Sequence, residues 1–329
     1  MIARRGALAL GGGVLGGGLL AAPALPRAET AAWKPSRPVR LIVTYPPGGV
    51  NDIVGRIVAE PLGAELGQSV VVENRAGAGG NIGTQAAMQA EADGHTILFG
   101  TTAMFGVNPV MYKGSGVDAA RDFACLATIG EVANVLSVAP KRVAATTLPE
   151  FVAEARSKPL VYGSVGNGSS SHLSAVVFLK AAGIEATHVP YRGSSPLVAA
   201  MLANDVDFCF DTTATSTAHI RGGALRPLGV TTTRRASALP EVPTLREAGV
   251  KDYDLGIWFG LFVPARTPAP IFAALQKALL ATRTPQTTER LQRAFVDPLA
   301  VPTAEVARWV TADSERWQKI SVEAGIKAD

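Results

Sequence analysis

Residues 45–52, Tyr-Pro-Pro-Gly-Gly-Val-Asn-Asp, stand between an apolar run (Val39, Leu41, Ile42, Val43) and a stretch with helical periodicity. A strand that ends in prolines and glycines and opens at once into a helix constrains the fold strongly. The strand must sit in a sheet, and the helix must return across it. The same junction has a chemical consequence. Glycine lets a ligand approach the backbone, and the N–H groups of a helix N-terminus favour negative charge, so the junction is a candidate anion cradle.

The following residues repeat the alternation. Ile53, Val54, Ile57, Val58, Leu62 and Leu66 form one apolar helical face from Asp52 onward, with Pro61 a candidate kink. Val70–Val72 reads as a short buried strand, followed by a glycine loop at 77–83, a helix to about Ala92 and a third strand over Thr96–Gly100. The order βαβα implies a parallel sheet with helices on both faces.

The pattern then restarts. Val135–Val138 reads as a strand, and Thr147-Leu148-Pro149-Glu150 is a capping box opening a helix. Val161–Ser164 is a strand that runs into Gly166-Asn167-Gly168-Ser169-Ser170-Ser171 and a helix at His172. Strands over 187–191, 206–211 and 225–231 complete this half. Each half therefore owns a strand–glycine loop–helix unit. The fold expected is α/β and two-lobed, each lobe a mostly parallel sheet flanked by helices, with the ligand in the cleft at the carboxyl ends of the strands.

Trp258–Pro264 reads as a strand returning to the first lobe, ahead of helices from about Pro268, Thr284 and Thr303. Val306, Trp309, Val310, Trp317 and Ile320 lie on one helical stripe, the pattern of core packing. The expected division is 29–126 with 257–329 for the first lobe and 127–256 for the second. The crossings would lie near 126–132 and 243–260.

Residues 1–28 read as an export leader: Arg4-Arg5, an uncharged glycine-diluted stretch from Gly6 to Ala22, and the small-residue end Ala22-Pro23-Ala24. The paired arginines fit a twin-arginine signal, with a general secretion signal the alternative, and the expected location is the periplasm. Of the 31 Lys and Arg residues, Arg4 and Arg5 precede residue 25 and no acid does, so residues 25–329 carry 29 basic against 27 acidic side chains, a balance of +2. With no basic block, nucleic acid is not an expected partner. Cys125 and Cys209 sit in apolar strand-like runs, as two buried thiols or, in an oxidising compartment, a disulfide. His95, His172, His188 and His219 have no metal-ligand spacing, so neither metal nor cofactor is expected.

Catalytic motifs are missing too. The 77–83 loop is one residue off GxGxxG, no P-loop occurs, and Gly163-Ser164-Val165-Gly166 and Gly168-Ser169-Ser170-Ser171 both miss GxSxG. His172 directly after the serine run suits helix capping better than general-base work. The chain is not expected to be an enzyme; a secreted hydrolase would need a nucleophile–base pair that these motifs do not provide.

A family resemblance rests on motifs in order along almost the whole mature chain. Tyr45-Pro46-Pro47-Gly48-Gly49 with Asp52, Val71-Val72-Glu73-Asn74-Arg75, Gly77-Ala78-Gly79-Gly80 and Asp93-Gly94-His95-Thr96 belong to the first half, with Asn108-Pro109 and Tyr112. Ser164–Ser169 with His172-Leu173, His188-Val189-Pro190-Tyr191-Arg192-Gly193, Leu239-Pro240-Glu241-Val242-Pro243-Thr244 and Trp258-Phe259-Gly260-Leu261 belong to the rest. The chain resembles the solute receptors of tripartite tricarboxylate transporters, the Bug family. Two residues depart from the pattern: Val176 stands where glutamate is usual, and Arg192 replaces a lysine.

The resemblance implies a monomeric periplasmic receptor, of the type II-like binding-protein fold, that closes on a small organic acid or amino acid. It would hand this ligand to membrane permease subunits, or present it to a sensor kinase. It places Gly48, Gly49 and the residues to Asp52 in a carboxylate nest beside Tyr45, with Thr101, Thr102 and Ala103 as the neighbouring wall. Ser164, Gly168, Ser169 and Ser170 would face them, and Asp211 would accept from a ligand amine or hydroxyl. Asp52 is equally readable as a helix cap, and Ser169–Ser171 as a cap that leaves other N–H groups free.

Overall fold

The computed structural model describes residues 33–114 and 118–326; the expected export leader lies outside them. In chain order, β1 (Val39–Val43), α1 (Val50–Leu66), β2 (Val70–Asn74), α2 (Asn81–Gln89) and β3 (Thr96–Thr101) come first. A π-helical turn at Ala103–Val107 leads through α3 (Asn108–Met111) and α4 (Ala119–Asp122) to the long β4 (Phe123–Val132). Next come β5 (Asn134–Val138), α5 (Leu148–Ser157), β6 (Leu160–Ser164), α6 (Ser170–Ala182) and β7 (Ala186–Pro190). They continue into α7 (Ser194–Ala203), β8 (Phe208–Thr212), α8 (Thr213–Arg221) and β9 (Arg226–Val230). The last are β10 (Ile257–Pro264), α9 (Ala269–Ala281), α10 (Pro285–Arg293), β11 (Asp297–Pro298) and α11 (Val306–Glu323).

These strands make two sheets, ordered β11-β4-β10-β3-β1-β2 and β7-β6-β8-β5-β9. Both are flanked by helices, as a two-lobed α/β fold requires, but each is mixed rather than mostly parallel. β1 pairs in parallel with β2 and β3, and β6 with β7 and β8, since a helix carries the chain back across each pair. The other pairings, built on the strands that pass between the sheets, are antiparallel. Sequence periodicity reports that a strand exists, not which way its neighbour runs.

Strand position explains two further differences. Val70–Val72 was expected to be buried, yet β2 pairs only with β1 at the sheet edge and Val71 is 51% exposed. Residues 127–132 were assigned to the second lobe, yet β4 pairs with β10 in the first sheet as far as Val132. Ala133 alone separates that strand from β5 in the second sheet. The return passage lies between Val230 and Ile257, and Thr231 ties the two together. Its N–H donates to the Asn134 carbonyl (2.9 Å), and its own carbonyl accepts from Leu255 N–H (2.8 Å).

The capping box at Thr147 and Glu150 is formed, and α1 continues across Pro61. Cys125 in β4 and Cys209 in β8 are free and buried in different sheets, which rules out the disulfide alternative in this structure. Burial pushes the Cys125 thiol up to about 12.

The α11 stripe is core, but of two cores. Val306 and Val310 pack with Met104, Phe105 and Phe262 of the first lobe, whereas Trp317 packs among second-lobe residues such as Leu173 and Phe178. Gly106 makes this seat possible: a Cβ there would lie 2.2 Å from the Cβ of Trp317. The C-terminal helix therefore spans the junction above the cleft floor.

Candidate ligand site

A cavity of about 360 Å³ lies between the lobes. The first lobe contributes Tyr45 from the loop after β1, Val50 and Asn51 from the start of α1, and Thr101, Thr102 and Ala103 from the junction of β3 with the π-helical turn. Val132, Ile257 and Phe259 of the crossing strands form the floor, and the second lobe adds Val165–Ser170 and Thr212. Gly79, Val107, Asn108, Met111, Tyr112 and Trp317 complete the wall, and no charged side chain is among these described lining residues.

Helix N-termini supply the polarity. α1 starts after Gly49 without any side-chain cap, so its first N–H groups lack both intrahelical and capping partners. The π-helical turn begins at Ala103, again uncapped by a side chain, and Thr102 is held there by accepting from Trp258 N–H (2.9 Å). From the opposite lobe, α6 and α8 begin beside Ser170 and Thr212. Four helical starts thus meet at one cavity. Their dipoles favour an anion although none of the described lining residues carries a cationic side chain.

The two glycine junctions are built differently. In the first, Gly48 takes the left-handed φ of +83° that turns the chain, and its N–H donates to the Asp52 carboxylate (3.0 Å). That carboxylate also accepts from Asn74 Nδ2 (3.0 Å) and Arg56 Nε (3.1 Å). Burial works to raise the Asp52 carboxyl, but Arg56, the Gly48 N–H and Asn74 outweigh it and hold it below its ordinary value.

In the second junction, Ser169 Oγ caps α6 by accepting from His172 N–H (3.2 Å) and donates to the Gly166 carbonyl (2.7 Å). His172 Nδ1 accepts from Gly168 N–H (3.2 Å), and Ser164 Oγ lies 2.7 Å from His188 Nε2. The two imidazoles stack with centroids 4.2 Å apart and planes 3° from parallel, and Tyr162 stacks on His188. Burial and the neighbouring His188 lower His172 to about 4, so it stays neutral and keeps its acceptor.

The geometry is that of an interlobe anion receptor, and comparisons with known proteins agree. The model of the tripartite tricarboxylate transporter family receptor matches residues 54–326. This chain belongs to that family. Its members are solute-binding receptors that take small carboxylates and work with membrane transporter components. A UPF0065 protein of a Pseudomonas species is 36% identical, over 92% of this receptor and 91% of the relative. BugT of Bordetella pertussis is 30% identical, over 89% of this receptor and 91% of its own length. Among solved structures, an R. palustris protein with adipate has 34% identity and a TM-score of 0.76, covering 89% of the receptor and 98% of that chain. MatC of Rhodopseudomonas palustris with bound malate has 27% identity and a TM-score of 0.71, covering 87% and 99%.

Of the residues expected at the site of this receptor, Tyr45, Thr101, Thr102, Ala103, Gly168, Ser169 and Ser170 line the cavity. Gly48, Gly49, Asp52, Ser164 and Asp211 do not. Gly48 and Gly49 form the exposed turn ahead of α1, which moves the free donors on to Val50 and Asn51. Asp52 sits inside the first turn of α1 and accepts from Gly48, Asn74 and Arg56, so it neither lines the cavity nor caps the helix, whose N-cap is Gly49. Ser164 is fully buried under the loop, and Asp211 accepts from Ser194 Oγ (2.8 Å), Thr212 N–H (2.8 Å) and Thr215 Oγ1 (2.7 Å). Burial raises the Asp211 carboxyl against these three donors.

Val176 and Arg192, the two departures from the family pattern, are also absent from the lining. Asn51 was expected only as part of the run from Gly48 to Asp52, and sequence reasoning missed Val132, Ile257, Phe259 and Trp317. Asn51 follows the glycine turn directly and was legible as the second residue of the helix; the others come from chain segments that only the fold brings in.

Proposed function

We propose that the protein is a periplasmic receptor that captures a small organic carboxylate in the interlobe cavity and delivers it to a tripartite tricarboxylate-type membrane transporter. The observation carrying this reading is the meeting of four helix N-termini, from both lobes, around a cavity whose lining residues include no charged side chain. A carboxylate brings the charge that such a site lacks, and N–H donors shielded from water bind it by charge-assisted hydrogen bonds. One carboxylate is held at Val50 and Asn51 beside Tyr45, Thr101, Thr102 and Ala103. Gly168, Ser169 and Ser170 meet the ligand from the second lobe.

Capture works by closure. The ligand stabilises the closed arrangement because only there do both lobes donate to it. The passages at Ala133 and between Val230 and Ile257 form the hinge, so the first lobe comprises residues 33–132 and 257–326. The receptor acts as a monomer and catalyses no reaction. The adipate and malate found in related structures are the first ligands to try. In calorimetry with the leader-free protein, saturable 1:1 binding of a dicarboxylate is expected; a failure of adipate, malate and citrate to bind overturns the carboxylate reading. Loss of dicarboxylate uptake on deletion tests delivery.

A further inference from the structure

Trp317 was legible in the sequence only as part of a core stripe, yet it lines the ligand cavity. It is fully buried, and its Nε1 has no hydrogen-bond partner. The contrast with Trp258, also buried, is direct: that indole donates to Asp313. A buried indole N–H almost always finds an acceptor, because leaving it desolvated and unpaired is costly. The indole is a donor only, so any group that pairs with it must be an acceptor, and carboxylate oxygens are strong ones.

We propose that Trp317 is a ligand-binding residue, its Nε1–H donating to an oxygen of the bound carboxylate. This rests on the carboxylate reading above and deepens it, because it draws the C-terminal helix into recognition. The close seat of Trp317 on Gly106 fixes the ring without occupying Nε1. A ligand oxygen at this position would then engage α11 as well as the two glycine junctions. An apolar end group in its place would leave the indole unpaired. The site therefore favours ligands that carry oxygen where they meet the C-terminal helix.

The test compares wild type with Trp317→Phe, which keeps an aromatic ring and deletes the donor. The chain has 4 tryptophans, so the indole resonance absent from the variant's nitrogen–proton spectrum identifies Trp317. Titrating labelled wild type with adipate, malate and citrate in turn should shift that resonance far more than those of Trp33, Trp258 and Trp309. Calorimetry should show the variant binding about 5- to 30-fold more weakly. An unmoved Trp317 resonance while wild type binds one of these acids overturns the proposal and leaves the receptor reading intact. If wild type binds none of them, both fall. If the variant is too unstable for calorimetry, the wild-type resonance decides alone.

Discussion

The two glycine junctions share one plan and use it differently. Around Tyr45–Asp52 the helix start is left uncapped, and the nearby carboxylate of Asp52 is turned inward onto Gly48, Asn74 and Arg56. Around Ser164–His172 the helix start is capped by Ser169, and two stacked histidines hold the loop. The first arrangement maximises free N–H donors while neutralising the acid that would repel an anion. The second spends a side chain on its helix and gains a rigid, shaped wall. Under the proposed function, this difference would leave charge recognition to the first lobe and positioning to the second.

Charge placement should break or sharpen this contrast most strongly. Asn51→Asp sets a carboxylate among the uncapped donors of α1, and the affinity for a dicarboxylate is expected to fall more than about 100-fold. Ser170→Asp, at the side-chain-capped helix, should cost about 10-fold by the same measurement. Equal losses in calorimetry would remove the division of labour.

Stability offers the next two tests. Asp52→Ala removes the acceptor of the Gly48 N–H and the carboxylate partner of Arg56, leaves Asn74 Nδ2 only the Tyr45 carbonyl, and should destabilise by about 2 kcal/mol in urea unfolding. For His172, the folded value of about 4 lies below the ordinary 6.5. The unfolded chain therefore takes up a proton first as the pH falls. The neutral imidazole contributes its full stability above 6.5, and that contribution drains away between about 6.5 and 4, by roughly 2–3 kcal/mol. In His172→Phe this part of the pH slope should vanish; an unchanged slope in pH-dependent unfolding would mean that the stack does not hold the proton off.

The smallest effect is expected at Asp211. Its carboxylate is engaged by Ser194, Thr212 and Thr215 outside the cavity lining, so Asp211→Asn should change ligand affinity less than about threefold and stability by about 1 kcal/mol. A large loss of binding would return Asp211 to the site.

The fate of Asp52 and Asp211 shows where sequence reading stops. A carboxylate near a strand end or a helix start looks the same whether it faces the cleft or satisfies its own loop. Only the positions of the competing donors, Gly48 and Asn74 in one case and Ser194 and Thr215 in the other, separate the two roles. Thr101, Thr102, Ala103 and Ser169 were supplied by the family resemblance, and they lie at the end of β3 and in the loop after β6, where an α/β sheet places its ligands. Trp317 was not legible as a site residue, because helical spacing marks it as buried without saying what it is buried against.

The sequence by itself determined the local units: which segments are strands, where the glycine turns fall, and that two helix starts would be rich in free donors. These follow from periodicity, capping chemistry and backbone freedom within a few residues. Tertiary structure alone decided the direction of β4 and β10, the sheet in which residues 127–132 pair, and which polar groups remain unpaired at the cavity. Such choices depend on pairing and packing between residues far apart in the chain, and no local pattern encodes a partner more than 200 positions away, as Gly106 is from Trp317.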